Sequence, residues 1–187
     1  YEIGFRAFGE NYVQELVDKQ AKLPTDIRWH YIGHLQSNKV KYIAPFVHLI
    51  HGVDSFKLLK EINKEAGKNN RVIDVLLQVH IAQEETKFGL NEDELKTIYN
   101  KNSDGLHELK NVRICGFMGM ASFSDDLEKV RGEFRYLKSL FDWYADVPIM
   151  NSQFSILSMG MSGDYKIAIE EGSTMVRIGS LLFGARI

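Results

Sequence analysis

A single cysteine in 187 residues leaves no intramolecular disulfide to form. That residue, Cys115, lies in the apolar run Val112-Arg-Ile-Cys-Gly-Phe117, where a buried strand side chain is expected, and the lack of disulfides fits a reducing compartment. No apolar run reaches the roughly 18 residues of a membrane span, and the first residues show no charged-then-apolar leader, so a cytoplasmic location without membrane association is expected. Proline is scarce, with three residues, and no Pro/Gly-rich or charged tract marks a linker, so residues 1–187 are expected to form one domain. Basic clusters are also lacking: Lys+Arg total 23 against 25 Asp+Glu, a net charge of −2, which gives nucleic acid no electrostatic footing. What is present is the composition of a globular domain, 44% hydrophobic and 26% charged, enough for one sizeable core.

Along the chain, strand and helix patterns alternate. Phe5 to Gly9 reads as a strand, and Tyr12, Val13, Leu16, Val17 and Gln20 recur at helical spacing before Pro24. Arg28 to Gly33 is a second strand, Gln36 to Pro45 a short helix and Val47 to Ile50 a third strand. Asp54 and Ser55 offer an N-cap to a helix whose apolar face carries Leu58, Leu59, Ile62 and Ala66. Arg71 to Ile81 holds the most continuous apolar run, as in a strand covered on both faces, and Asn91 with Glu94 forms a capping-box start to the next helix. Val112 to Phe117 is a fifth strand. The helix after it carries Leu127, Val130, Phe134, Leu137 and Phe141 on one face. Two more strands close the series, one leading into the Gly160–Gly163 turn and one ending at Gly179. This alternation predicts a parallel sheet with helices outside, either an open doubly wound sheet or a closed (β/α)8 barrel, with functional side chains at the C-terminal ends of the strands.

Those ends are rich in small and polar residues. The segment Leu157-Ser-Met-Gly-Met-Ser-Gly-Asp164 and the segment Gly172-Ser-Thr-Met-Val-Arg-Ile-Gly-Ser180 place two glycine turns side by side, and uncovered backbone N–H groups there suit a phosphate ester. Gly179 permits close approach, Ser158, Ser162 and Ser180 add hydroxyls, and Arg177 adds a fixed positive charge.

Phe8-Gly-Glu-Asn-Tyr-Val-Gln-Glu15, Trp29-His-Tyr-Ile-Gly-His-Leu-Gln-Ser-Asn-Lys39, Lys87-Phe-Gly89, the two segments just named and Phe183-Gly-Ala-Arg186 together resemble the YggS-type pyridoxal phosphate homeostasis proteins. The resemblance covers essentially the whole chain. It implies an α/β fold, the (β/α)8 TIM-type barrel of the alanine racemase N-terminal-domain type, that binds pyridoxal 5′-phosphate (PLP) in vitamin B6 and amino-acid homeostasis without an established reaction. It further implies that Ser158, Gly179 and Ser180 hold the phosphate and that Arg177 faces the pyridine nitrogen, where a permanent cation disfavours ring protonation. Asn11, His30 and Met118 sit at matching strand ends that could line the ring. The family places its Schiff-base lysine on a strand upstream of the Phe8-Gly-Glu-Asn motif. The chain is therefore expected to carry seven of the eight strands, to lack that lysine, and to act as a monomeric PLP carrier, with no catalytic residue and no metal. Three rivals are a PLP-dependent racemase or decarboxylase of the same barrel type, a sugar-phosphate enzyme using Glu10, Asp54 or Lys87 as acid and base, and a purely structural or interaction module.

Overall fold

The computed structural model describes residues 1–82, 88–99, 109–146 and 154–184. Among them, seven strands and seven α-helices alternate: β1 (Ala7–Glu10), α1 (Val13–Gln20), β2 (Arg28–Tyr31), α2 (Val40–Ile43), β3 (Leu49–Val53), α3 (Phe56–Lys68), β4 (Ile73–Gln78), α4 (Glu92–Tyr99), β5 (Val112–Met118), α5 (Leu127–Ala145), β6 (Ile156–Met161), α6 (Tyr165–Glu170), β7 (Met175–Arg177) and α7 (Ser180–Phe183). Every strand pairs in parallel with the next, in the order β1 to β7. The expected parallel architecture is therefore present, as seven strands of a nearly closed barrel.

The curl of the sheet can be read from one contact. In a flat sheet, strands three places apart would lie roughly 14 Å from one another. Yet the His51 ring of β3 is 3.1 Å from the Ser158 hydroxyl of β6. The sheet consequently has an inside and an outside, and each takes its own hydrophobic cluster. The larger one fills the space between strands and helices, with Ile50, Val75, Leu77, Phe117, Leu157 and Met159 meeting Leu59, Ile62, Phe134 and Leu137. The smaller one, Leu49, Leu76, Cys115 and Met118 with Met120, Ile156 and Met175 against them, lies inside the barrel.

Local signals place the helices where expected. Ser55 caps α3 by accepting from the Leu58 N–H at 3.3 Å. Asn91 and Glu94 exchange reciprocal bonds of 2.9 Å, a complete capping box. Asp126 accepts from the N–H groups of Glu128 and Lys129 at the start of α5. The third strand differs from the sequence expectation of Val47 to Ile50. The Val47 N–H is spent on the Ile43 carbonyl at the end of α2, so pairing starts at Leu49 and runs on to Val53, which brings His51 into the sheet. The helix expected over Gln36 to Pro45 is shorter, a 3₁₀ turn at Ser37–Lys39 leading into α2.

Strand β5 contains a bulge. Register jumps between Val75 and Leu76 because Ile114 faces one and Gly116 the other, leaving Cys115 unpaired in the ladder. Gly116 takes φ 146°, and a Cβ there would lie 1.9 Å from the Ile156 carbonyl oxygen. Gly116→Ala should therefore destabilise the protein by several kcal/mol, since both the backbone angle and β6 resist it. Gly132, exposed within α5 with no described residue beyond its own helix backbone and adjoining residues within 4 Å of where a Cβ would stand, should behave oppositely. Gly132→Ala is expected to add about 1 kcal/mol through helix propensity. Thermal melts of the two variants beside the wild type check both signs.

Candidate functional site

The turns after β6 and β7 face each other because their strands pair, Ser158 opposite Met175 and Met161 opposite Arg177. Ser162 lies in the first turn. Its Oγ accepts from the Gly179 N–H at 3.3 Å and the Leu181 N–H at 3.4 Å, long bonds that converge on one oxygen. Gly179 is exposed, and no described residue other than the adjoining two comes within 4 Å of where its Cβ would stand. Ser180 is exposed as the first residue of α7. Ser162, Gly179 and Ser180 thus come together in an open, donor-bearing turn, as the sequence anticipates.

Ser158 is placed differently from a phosphate donor on the rim. It is 0% exposed, inside the barrel, and its Oγ accepts from Arg177 Nη1 at 2.7 Å and meets His51 Nδ1 at 3.1 Å. Arg177 also donates from Nη1 to the Ser158 carbonyl at 2.9 Å and from Nη2 to the Gly119 carbonyl at 3.1 Å. Three of its five N–H groups are used in this way, which leaves two without a bond among the described residues. Burial of the guanidinium lowers its pKa to about 10, opposed by the Asp164 carboxylate, so it stays cationic at neutral pH.

His30 of β2 is 8% exposed and sits inside the barrel, its Nδ1 3.1 Å from His51 Nε2. Desolvation, with His48 and Arg28 nearby, lowers its pKa to about 4. The His51 pKa is likewise pushed well below its ordinary value, first by burial, then by His30 and Arg177. Both imidazoles are therefore neutral at pH 7. Met118 is 1% exposed and packs in the inner cluster at the end of β5. Asn11 is exposed just beyond β1, where its carbonyl accepts from the Tyr31 hydroxyl at 3.0 Å.

Of the acid and base candidates at the rim, Glu10 is paired with Lys19 and Asp54 with His34 at 3.1 Å, while Lys87 lies outside the described residues. His51 was not anticipated as a site residue. Its signal was present, because Leu49 and His51 are two apart and share a strand face, but a strand ending at Ile50 excludes it.

The buried imidazoles generate a pH dependence. Each takes up a proton in the unfolded chain near pH 6.5 but resists one when folded, so the unfolded state binds more protons as pH falls. Stability is fully present above pH 6.5 and is lost progressively down to about pH 4 for His30, where the loss from that residue alone is about 3 kcal/mol. Urea denaturation at a series of pH values should show this slope, reduced in His30→Phe. An equal slope in both proteins would mean that His30 charges freely in the folded state.

The model of the family described as alanine racemase, N-terminal domain, matches residues 1–187. The pyridoxal phosphate homeostasis protein of Aquifex aeolicus is 45% identical over 187 residues, covering 100% of this chain and 79% of that protein. The protein of the same name from Haemophilus influenzae is 36% identical over 189 residues, covering 100% of this chain and 78% of its own length. Among solved structures, PipY of Synechococcus elongatus with PLP bound superposes with a TM-score of 0.85 at 34% identity, covering 98% of this chain and 84% of that one. With matches of this extent, the chain belongs to the alanine racemase N-terminal domain family, and within it to the pyridoxal phosphate homeostasis proteins.

Proposed function

We propose that this protein binds PLP at the C-terminal end of its barrel and serves vitamin B6 and amino-acid homeostasis as a carrier rather than a catalyst. The observation that carries this reading is the pairing of an anion-ready turn with a desolvated cation. Gly179 and Leu181 direct two N–H groups at a single oxygen, Ser162 Oγ, and the open space at Gly179 accommodates a phosphate beside them. Arg177, on the strand that leads into that turn, keeps two N–H donors for a ring acceptor. The donor set therefore fits both ends of PLP: Ser162, Gly179 and Ser180 at the phosphate, Arg177 at the pyridine nitrogen. His30 and Met118 lie deeper, and Asn11 stands at the β1 end of the same rim. PipY, 34% identical, binds PLP, which supports the same ligand here.

Bound PLP would supply an aldehyde and an electron-accepting ring. What this chain's residues do is hold the phosphate and keep the ring nitrogen unprotonated, because a permanent cation beside it opposes a second positive charge. That weakens the ring as an electron sink, which suits storage and delivery better than carbanion chemistry. A rim with Glu10 and Asp54 already paired gives a sugar-phosphate enzyme no free acid and base among the described carboxylates named for it.

Titration of the purified protein with PLP, followed in the visible spectrum, tests the reading; an absence of saturable binding would end it. Gly179→Val should reduce PLP affinity at least tenfold, because the valine side chain would fill the open space beside the turn, where no described residue other than the adjoining two comes within 4 Å of the new Cβ. Undiminished affinity in that variant would move the phosphate elsewhere.

A further inference from the structure

The polar groups inside the barrel form a line with a direction. Arg177 has only donors, so Ser158 Oγ must accept from it. The Ser158 hydroxyl has one hydrogen, is 0% exposed, and among the described residues meets a single other side-chain partner, His51 Nδ1 at 3.1 Å. A buried hydroxyl that donates nothing is costly, so the hydrogen goes to His51. His51 Nδ1 is therefore the acceptor, and its proton resides on Nε2. From there it donates to His30 Nδ1 at 3.1 Å, which in turn places the His30 proton on Nε2. His30 lines a cavity of about 260 Å³ among the first residues of the strands, with Arg28, His48 and Asp74. The line thus runs through the barrel from its N-terminal end to the guanidinium at its C-terminal end.

We propose that His30, His51 and Ser158 are positioning residues for Arg177, a one-way hydrogen-bond relay that holds its Nη1 edge inward and leaves its remaining donors to the ligand's ring. The proposal rests on the ligand reading above and adds residues to it. Without the relay, the Ser158 hydroxyl could turn its hydrogen toward Arg177, where donor would face donor. The low proton affinity of both imidazoles keeps the relay in one polarity, since a charged histidine would have no lone pair to accept with.

The relay assigns Ser158 to the ring end of the ligand, and this separates it from a phosphate contact. Ser158→Ala and His51→Phe should each weaken PLP binding about tenfold, the loss of one hydrogen bond to a charged group, while affinity for inorganic phosphate stays within twofold. His51→Asn should recover most of the PLP affinity, because an Asn Oδ1 can stand where Nδ1 accepts. Equal losses for PLP and phosphate in Ser158→Ala, or a His51→Asn as weak as His51→Phe, would overturn the relay. Independently of any ligand, ¹⁵N spectra of the wild-type imidazoles should show His30 and His51 neutral with the proton on Nε2. A proton on Nδ1 of either ring would overturn it as well. Should the wild type bind phosphate but no PLP, the ligand reading fails, and Arg177 positioning toward a ring fails with it.

Discussion

A guanidinium inside a barrel must find acceptors, and Arg177 finds them within β6 and just past β5 at once: the carbonyl and hydroxyl of Ser158 and the carbonyl of Gly119. Carbonyls take a cation's hydrogen bonds without neutralising it, so the charge survives burial where a carboxylate would have cancelled it. Much of the site depends on this arrangement. It ties β7 to β6 and to the turn after β5, and it fixes where the turn carrying Gly179 begins. The polar line through His51 and His30 ends on it.

The geometry that makes this possible is the bulge at Gly116. By leaving Cys115 out of the ladder, the bulge lets Cys115 and Met118 both face the barrel interior and Phe117 face the helices. The same strand then delivers Gly119 beside β6, where its N–H meets the Ser158 carbonyl and its own carbonyl receives Arg177. The turn beyond is held by Glu133 of α5, whose carboxylate accepts from the Ser122 N–H and hydroxyl at 2.6 Å. Helix, bulge and turn together set a carbonyl that no motif announces.

The inner and outer faces follow different chemistry. Outside, the strands meet helices through aliphatic and aromatic side chains, a surface built by area alone. Inside, the apolar cluster is small and the rest is polar, with His30, His51, Gln78 and Ser158 all buried. Buried polar groups demand partners, and each of these four has a hydrogen bond: the histidines with each other and with Ser158, and Gln78 with the Phe88 carbonyl at 2.8 Å. That requirement makes the interior directional rather than merely filled.

The order of strands and helices was legible because it rests on local signals: apolar periodicity, the caps at Ser55 and Asn91, and glycine turns after β6 and β7. The grouping of Ser162, Gly179 and Ser180 was legible too, since adjacent parallel strands end on the same side. What the tertiary structure decided was which face and which partner. Ser158 reads in sequence like the other turn serines, yet alternation along β6 turns it inward to Arg177 and His51. His51 became part of the site because β3 runs past Ile50 to Val53. Its contact with Ser158 spans 107 residues, and no local pattern encodes it. Local backbone preferences write the element order into the chain, whereas contacts across a barrel exist only once the sheet has curled.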